Sequence, residues 1–386
     1  MFCSDQLEKK SLVIKAGILL SERKLVERTW GNVSVRFDSE HFAISPTGAL
    51  YEKLKPEDIP VVNLKEFAFI GKRKPSSELL IHSSIYATYP DVSFILHTHQ
   101  RFASLLSLFF SNKQGTIEVL GEERGILGKL ISIAEYAQGG TKQIAENVIK
   151  ALDIDGKTSF RSSGIVLMAA HGVLCFAPSF DVAFDMVQLL EDFAKRLVLT
   201  VLRRHNVFVE TGGELFTYTR TSFYNNAEDI LLNKLCSLIF NEDSDISFIT
   251  LSSLPMSKYV SEKLDIQVFP NEMEFALNGI PAYFDDVAQI LGETAIVISN
   301  INDIIFFQKH SKAIFEKSNA LIIIGVGVLF FSHSKDETFY MASIFEKNAL
   351  AFLLSFYIKN IVPLAKENAN LLHTSFIKGY SKLKDF

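Results

Sequence analysis

The chain is 386 residues long, 48% hydrophobic and 22% charged, with a net charge of −5 and three cysteines. That length exceeds the usual ceiling for one hydrophobic core, so two domains are expected. The acidic balance, with no Lys/Arg-rich stripe, argues against binding nucleic acid or another polyanion, and Cys3, Cys175 and Cys236 are too few and too scattered for a disulfide framework, which points to a reducing, cytoplasmic setting.

The first ten residues carry no long apolar stretch and no cleavage signal. The most apolar run, 320–331, is too short to span a bilayer and contains two glycines, so no membrane segment is expected. Residues 7–26 place Leu12, Val13, Ala16, Leu19 and Leu20 at helical spacing. From Trp30 the pattern changes to alternation, with Val33, Val35 and Phe37 on one face of a strand. Its hairpin partner begins at Phe42 and ends in the turn Ser45-Pro46-Thr47-Gly48. Gly31-Asn32 and Thr47-Gly48 therefore sit at the ends of neighbouring strands. Backbone amides freed by glycine, with the Asn and Thr side chains, could hold a phosphate there; two ordinary turns would look the same.

Lys74-Pro75-Ser76-Ser77-Glu78 opens a helix that runs to about Ala87. Ser76 or Ser77 is a suitable N-cap and Glu78 suits the helix dipole, which is enough to explain the stretch structurally. The functional alternative is that two hydroxyls and helix-terminal amides bind an anion while Glu78 points at a metal. The strand after that helix adds weight to this alternative. Residues 92–96 read as a short buried strand running straight into His97-Thr-His99. Side chains two apart on a strand project to the same side, so two imidazoles stand together, better placed to bind one metal ion than to fill a core.

Residues 101–110 read as a helix, and 131–141 as a strand, a Gly-rich turn at Gly139-Gly140 and the Thr141 cap of a further helix. Tyr136, in that stretch, is either a core tyrosine or a phenol at the mouth of a site. Residues 164–177 are an apolar strand, a His171-Gly172 turn and a second strand. A lone histidine there is usually a satisfied core residue; beside a ready-made pair it becomes a candidate third ligand. Ser179 caps a helix with Ala183, Met186, Val187, Leu190, Ala194 and Leu197 on one face.

Together, Gly31-Asn32, Ser45-Pro46-Thr47-Gly48, Pro75-Ser76-Ser77-Glu78, Pro90-Asp91, His97-Thr-His99, Tyr136 and His171-Gly172 resemble the class II aldolase/adducin head-domain family, nearest its L-fuculose-phosphate aldolase branch, over roughly residues 5–205. The resemblance implies a three-layer α/β/α fold with a central, mainly antiparallel sheet. It implies that His97, His99 and His171 ligate a zinc ion, that Gly31, Asn32, Thr47, Gly48, Ser76 and Ser77 cradle a substrate phosphate, and that Glu78 is the acid/base with Tyr136 assisting protonation. The implied activity is retro-aldol cleavage of a phosphorylated ketose, zinc acting as a Lewis acid on the charge that develops as the carbon–carbon bond breaks. A sugar-phosphate dehydratase, decarboxylase or 4-epimerase would share the site, although the epimerases typically carry Asp at the position of Glu78. A non-catalytic adducin-like scaffold is the reading from another class; adducin-type heads lack the metal histidines, and all three are present here.

Glu210-Thr-Gly212-Gly213 is the expected boundary, giving domains 1–212 and 213–386. The second half contains an echo of the first. Gly172-Val-Leu-Cys-Phe-Ala-Pro-Ser-Phe-Asp aligns without gaps, at an offset of 155 residues, with Gly327-Val-Leu-Phe-Phe-Ser-His-Ser-Lys-Asp, and the match continues through Glu191/Glu346 and Ala194/Ala349. His171 corresponds to Val326, and His310 and His333 have no paired ligand, so this half reads as a degenerate aldolase-like domain without metal ligands. Residues 268–272 and 320–331 also resemble the second portion of longer bacterial aldolase–dehydrogenase fusions; no Gly-x-Gly-x-x-Gly fingerprint occurs, so no nicotinamide site is expected. Single-domain members of the family form rings of four, so a homo-oligomer, dimer or tetramer, is expected.

Overall fold

The computed structural model describes residues 4–26, 30–153, 162–208, 212–220, 230–263, 279–298, 308–309, 311–312 and 314–378. Cys3, Glu210, Thr211, residues 268–272 and His310 lie outside them. The chain divides into two compact units, chiefly Met1–Val201 and Leu202–Lys359. The division falls near the end of the helix Phe180–Arg204, ahead of the glycine pair at which the sequence places it. That helix carries no glycine or proline to stop it sooner.

In the first unit, β1 (Asn32–Arg36), β2 (His41–Ile44), β3 (Val61–Asn63), β4 (Phe69–Ile70), β5 (Phe94–Thr98), β6 (Gly115–Glu118), β7 (Leu130–Ala134), β8 (Gly164–Met168) and β9 (Gly172–Ala177) stand in the order β4-β3-β2-β1-β5-β9-β8-β7-β6. Neighbours are antiparallel except β7 and β8. On one face Ile95, Val166, Met168, Leu174 and Phe176 pack with Ile81 and Ile85 of the helix Leu79–Thr88 and with Ile144 and Val148 of the helix Lys142–Leu152. The helix Ser4–Glu22 packs against β1 and β2. On β1, Ser34 turns toward the helix Leu79–Thr88, so Val33 and Val35 point to the opposite face. This is the α/β/α arrangement with a mainly antiparallel sheet. Thr141 Oγ1 accepts from the Ile144 amide at 3.4 Å and Ser179 Oγ from the Val182 amide at 3.4 Å, capping their helices as read from sequence. The helix expected over 101–110 instead breaks into Ala103–Leu106 and a 3₁₀ turn Ser107–Phe110. Ser107 Oγ donates to Ser104 O at 2.7 Å, a local bond that competes with the helical ladder.

In the second unit, β10 (Leu215–Thr219), β11 (Phe248–Ser252), β12 (Ile280–Pro281), β13 (Thr294–Ile298), β14 (Ala320–Ile323) and β15 (Gly327–Ser332) stand in the order β10-β11-β15-β14-β13-β12, antiparallel except for β13 and β14. The first unit contains the same run, β1-β5-β9-β8-β7-β6, with its parallel pair in the same place. β2, β3 and β4 have no counterpart among the described residues. No helix among the described residues is long and apolar enough to cross a membrane.

Candidate active site

The strand order gathers one edge of the first sheet. Asn32, at the start of β1, pairs with His97 near the end of β5, and Thr98 pairs with Val173 at the start of β9. The β8–β9 turn carries His171 back to the same edge, with Ala170 in the left-handed region at φ 54°. Alternation puts His97 on the face of Ile95, which is the face covered by the helix Leu79–Thr88. Glu78 occupies the cap position of that helix. The sequence alone gives the cap to Ser76 or Ser77. Ser76 Oγ does accept from the Glu78 amide at 3.3 Å, but the helix starts after Glu78, whose carboxylate turns to the histidines.

The three imidazoles are buried and each offers a nitrogen within 4.8 Å of the others. His97 and His171 stack with ring centroids 5.1 Å apart, and the His99 ring stands edge-on to both. His97 Nδ1 lies 2.9 Å from Val173 O. A carbonyl only accepts, so Nδ1 carries the proton and Nε2 of the neutral ring keeps its lone pair. That Nε2 is 3.0 Å from His99 Nε2 and 3.1 Å from Glu78 Oε2, while His171 Nε2 is 2.7 Å from Glu78 Oε1. Burial pushes the His97 imidazole down to about 3, against the pull of Glu78. Burial also opposes charge on Glu78, but His97, His171 and His99 outweigh it and hold the carboxyl well below its usual range. A carboxylate and three imidazole nitrogens this close together form a site that could hold a cation. Three imidazoles with one open side suit a divalent metal, since ligands about 2.1 Å from one tetrahedral ion stand about 3.4 Å apart.

Glycines make room for this packing. A Cβ on Gly31 (φ 108°) would lie 2.6 Å from His97 O, and one on Gly172 would lie 2.5 Å from Thr98 O and 2.9 Å from His97 Cε1. A Cβ on Gly139 would lie 2.8 Å from His171 Cε1 and 3.3 Å from Glu78 Oε1, so the Gly-rich turn lies directly over the acid and the third histidine.

The remaining candidates divide. A bridge between Pro46 and Pro75, with Ser76 N donating to Ser45 O and Thr47 N to Lys74 O, each at 3.1 Å, sets the loops bearing Thr47-Gly48 and Ser76-Ser77 side by side. Asn32 lies instead against the acid: its Nδ2 donates to Glu78 Oε2 at 2.7 Å. Tyr136 follows β7, half-buried, with its amide donating to Asn112 O at 2.8 Å. Sequence reasoning missed Gly139, which it took only as a turn residue, and His82, whose Nε2 lies in hydrogen-bond contact with Asn32 Oδ1. The available signal for His82 was its spacing: four residues beyond Glu78, it shares a helical face with the acid.

By register, the second unit places Leu251 where the first has His97, because Leu251 pairs with Leu329 as His97 pairs with Leu174. Ser253 then stands at the position of His99, and Val326 at that of His171. Among the described residues the first-unit triad is the one group of His, Cys, Asp or Glu that could hold a metal ion. His333 is more than half exposed, 3.4 Å from Glu337.

Residues 11–198 match the family described as Class II Aldolase and Adducin N-terminal domain. The L-fuculose phosphate aldolase of Methanocaldococcus jannaschii is 33% identical over 196 residues, covering 51% of this chain and 98% of that protein. The methylthioribulose-1-phosphate dehydratase of Methylococcus capsulatus is 35% identical over 185 residues, covering 46% of this chain and 87% of that protein. A solved L-fuculose 1-phosphate aldolase is similar over 52% of this chain and 88% of its own, at 33% identity and a TM-score of 0.45.

Proposed function

The chain belongs to the class II aldolase and adducin N-terminal domain family, and from that premise we propose that its first unit is a zinc-dependent lyase cleaving a phosphorylated ketose by retro-aldol chemistry in the cytoplasm. The observation that carries this reading is the convergence of His97, His99 and His171 on the Glu78 carboxyl group. His97, His99 and His171 would hold a zinc ion, which would supply Lewis-acid polarisation of the substrate carbonyl. His97 is held for that task by its Nδ1–H bond to Val173 O, which fixes ring orientation and tautomer. Glu78 takes the hydroxyl proton as the carbon–carbon bond breaks and returns a proton to the carbon released. Tyr136 assists by hydrogen-bonding the oxygen that gives its proton to Glu78 and leaves as a carbonyl. The paired loops bearing Thr47-Gly48 and Ser76-Ser77, with Gly31 and the second N–H of Asn32, hold the phosphate, so binding energy is drawn from a group remote from the reacting carbon.

Dehydration at the same centre is the second reading, favoured by the similarity to the methylthioribulose-1-phosphate dehydratase. Incubating zinc-loaded enzyme with a panel of ketose phosphates, products identified by mass, separates the two. Cleavage to dihydroxyacetone phosphate supports the lyase, loss of water supports the dehydratase, and no turnover of any member defeats both.

For the second unit we propose a degenerate copy of the first, arisen by duplication, in which Leu251, Ser253 and Val326 replace the ligands. It fills a structural place in a homodimer or tetramer. One zinc per chain is expected; two would contradict this.

A further inference from the structure

Resting on the reading of Glu78 as the acid/base, we propose that His82 is a positioning residue: through Asn32 it terminates a one-way chain of hydrogen-bond donors on the Glu78 carboxylate and aims it at the histidine cluster. The direction of the chain follows from its end. A carboxylate only accepts, so Asn32 must present Nδ2 to Glu78 Oε2, 2.7 Å away, and this leaves Asn32 Oδ1 facing His82. A carbonyl oxygen only accepts, so His82 Nε2 carries a proton. In a neutral ring Nδ1 is then the acceptor, and Ser34 Oγ, 2.6 Å away, donates to it. Tyr86 Oη, 2.8 Å from Ser34 Oγ, donates in turn to Ser34. Each link is buried: His82 and Ser34 are 0% exposed, Tyr86 2% and Asn32 5%. Burial, pushing His82 down to about 4, keeps the ring neutral as this polarity requires.

The chain gives the acid a fixed heading. Glu78 Oε1 faces His171 and Oε2 faces His97, and Oε2 is also the oxygen that Asn32 holds. Without the His82 donor, the Asn32 amide is free to flip and present Oδ1 to the carboxylate, a repulsive contact that turns Glu78 away. Asn32, which His82 hydrogen-bonds, is also one of the proposed phosphate-binding residues, so a flipped Asn32 amide withdraws an N–H from the phosphate and loss of His82 falls on turnover and substrate binding together.

The test uses full-length protein with two variants and one spectroscopic readout. Gln carries an N–H near the position of His Nε2, whereas Asn reaches only that of Nδ1. His82→Asn is expected to lower kcat about 10- to 100-fold and to raise KM. His82→Gln is expected to recover kcat to within about fivefold of wild type, with zinc content unchanged in both. In metal-free wild type, long-range proton–nitrogen correlation spectra should find His82 neutral with the proton on Nε2. An Nδ1–H tautomer or an imidazolium at pH 7 overturns the proposal whether or not the variants fold, and so does a His82→Asn enzyme with wild-type kcat. Glu78→Gln assayed in parallel separates the two ideas: normal turnover there defeats the functional reading, and the tautomer alone then decides the donor chain.

Discussion

Glu191 and Glu346, 155 residues apart, make the same contact in the two units. The Glu191 carboxylate accepts from the amides of Phe102 (2.9 Å) and Ala103 (2.8 Å), at the start of the helix that follows β5. The Glu346 carboxylate accepts from the amides of Met256 (2.9 Å) and Ser257 (2.7 Å), at the start of the helix that follows β11. A carboxylate, half-buried in the first unit and buried in the second, thus reaches across from a long helix to satisfy the orphan donors of a short one in both places. The contact recurs in the second unit, where the described residues hold no group that could bind a metal, and this marks it as architectural.

Glu346→Ala removes three acceptor contacts, the third from Ser257 Oγ at 2.9 Å. It should destabilise the second unit by about 2–4 kcal/mol, read from denaturant midpoints, while turnover per folded chain stays at the wild-type level. Loss of activity without loss of stability would refute the architectural role.

Glu78→Gln keeps size and hydrogen-bonding reach but removes the base. Turnover should fall at least about 100-fold with bound zinc retained. Wild-type turnover would remove Glu78 from the mechanism.

Gly139→Ala places a methyl 2.8 Å from His171 Cε1. Zinc affinity, measured by competition with a chromophoric chelator, should drop about tenfold or more while Tm moves by only a few degrees, because the clash is with the ligand and not with the core. Unchanged affinity would mean that the turn yields and the ligand does not depend on it.

The pH dependence of stability is set in part by His82. Burial depresses its imidazole from 6.5 to about 4 in the folded chain. The unfolded chain therefore binds more protons between those values, and the stability attached to a neutral His82 is complete above about 6.5 and is lost as pH falls toward about 4. The full effect is on the order of 3 kcal/mol. The difference in unfolding free energy between wild type and His82→Gln, which cannot titrate there, should shrink by about that amount between pH 8 and pH 4. A pH-independent difference would contradict a buried, neutral ring.

Much of this site was legible before any coordinates. The apolar run 92–96 leading into His97-Thr-His99 put two imidazoles on one side of a strand, and the His171-Gly172 turn between apolar strands supplied the third. The 155-residue echo was legible because strand, turn and helix kept their spacing together. The illegible parts depend on long-range packing. Nothing local says that Gly139 lies against His171, or that Asn32 turns its amide to Glu78 rather than wholly to a phosphate. The helix expected over 101–110 failed for a local reason, the Ser107–Ser104 bond, which periodicity of apolar residues does not register.

The central claim is that imidazoles from β5 and from the β8–β9 turn jointly hold one divalent cation. Elemental analysis of the purified full-length chain after exhaustive dialysis measures it directly, with His97→Ala, His99→Ala and His171→Ala in parallel. About one zinc per wild-type chain is predicted, falling below about 0.2 in each variant. A wild-type chain that binds no metal when zinc is offered, or a His171→Ala chain that keeps a full equivalent, would contradict it.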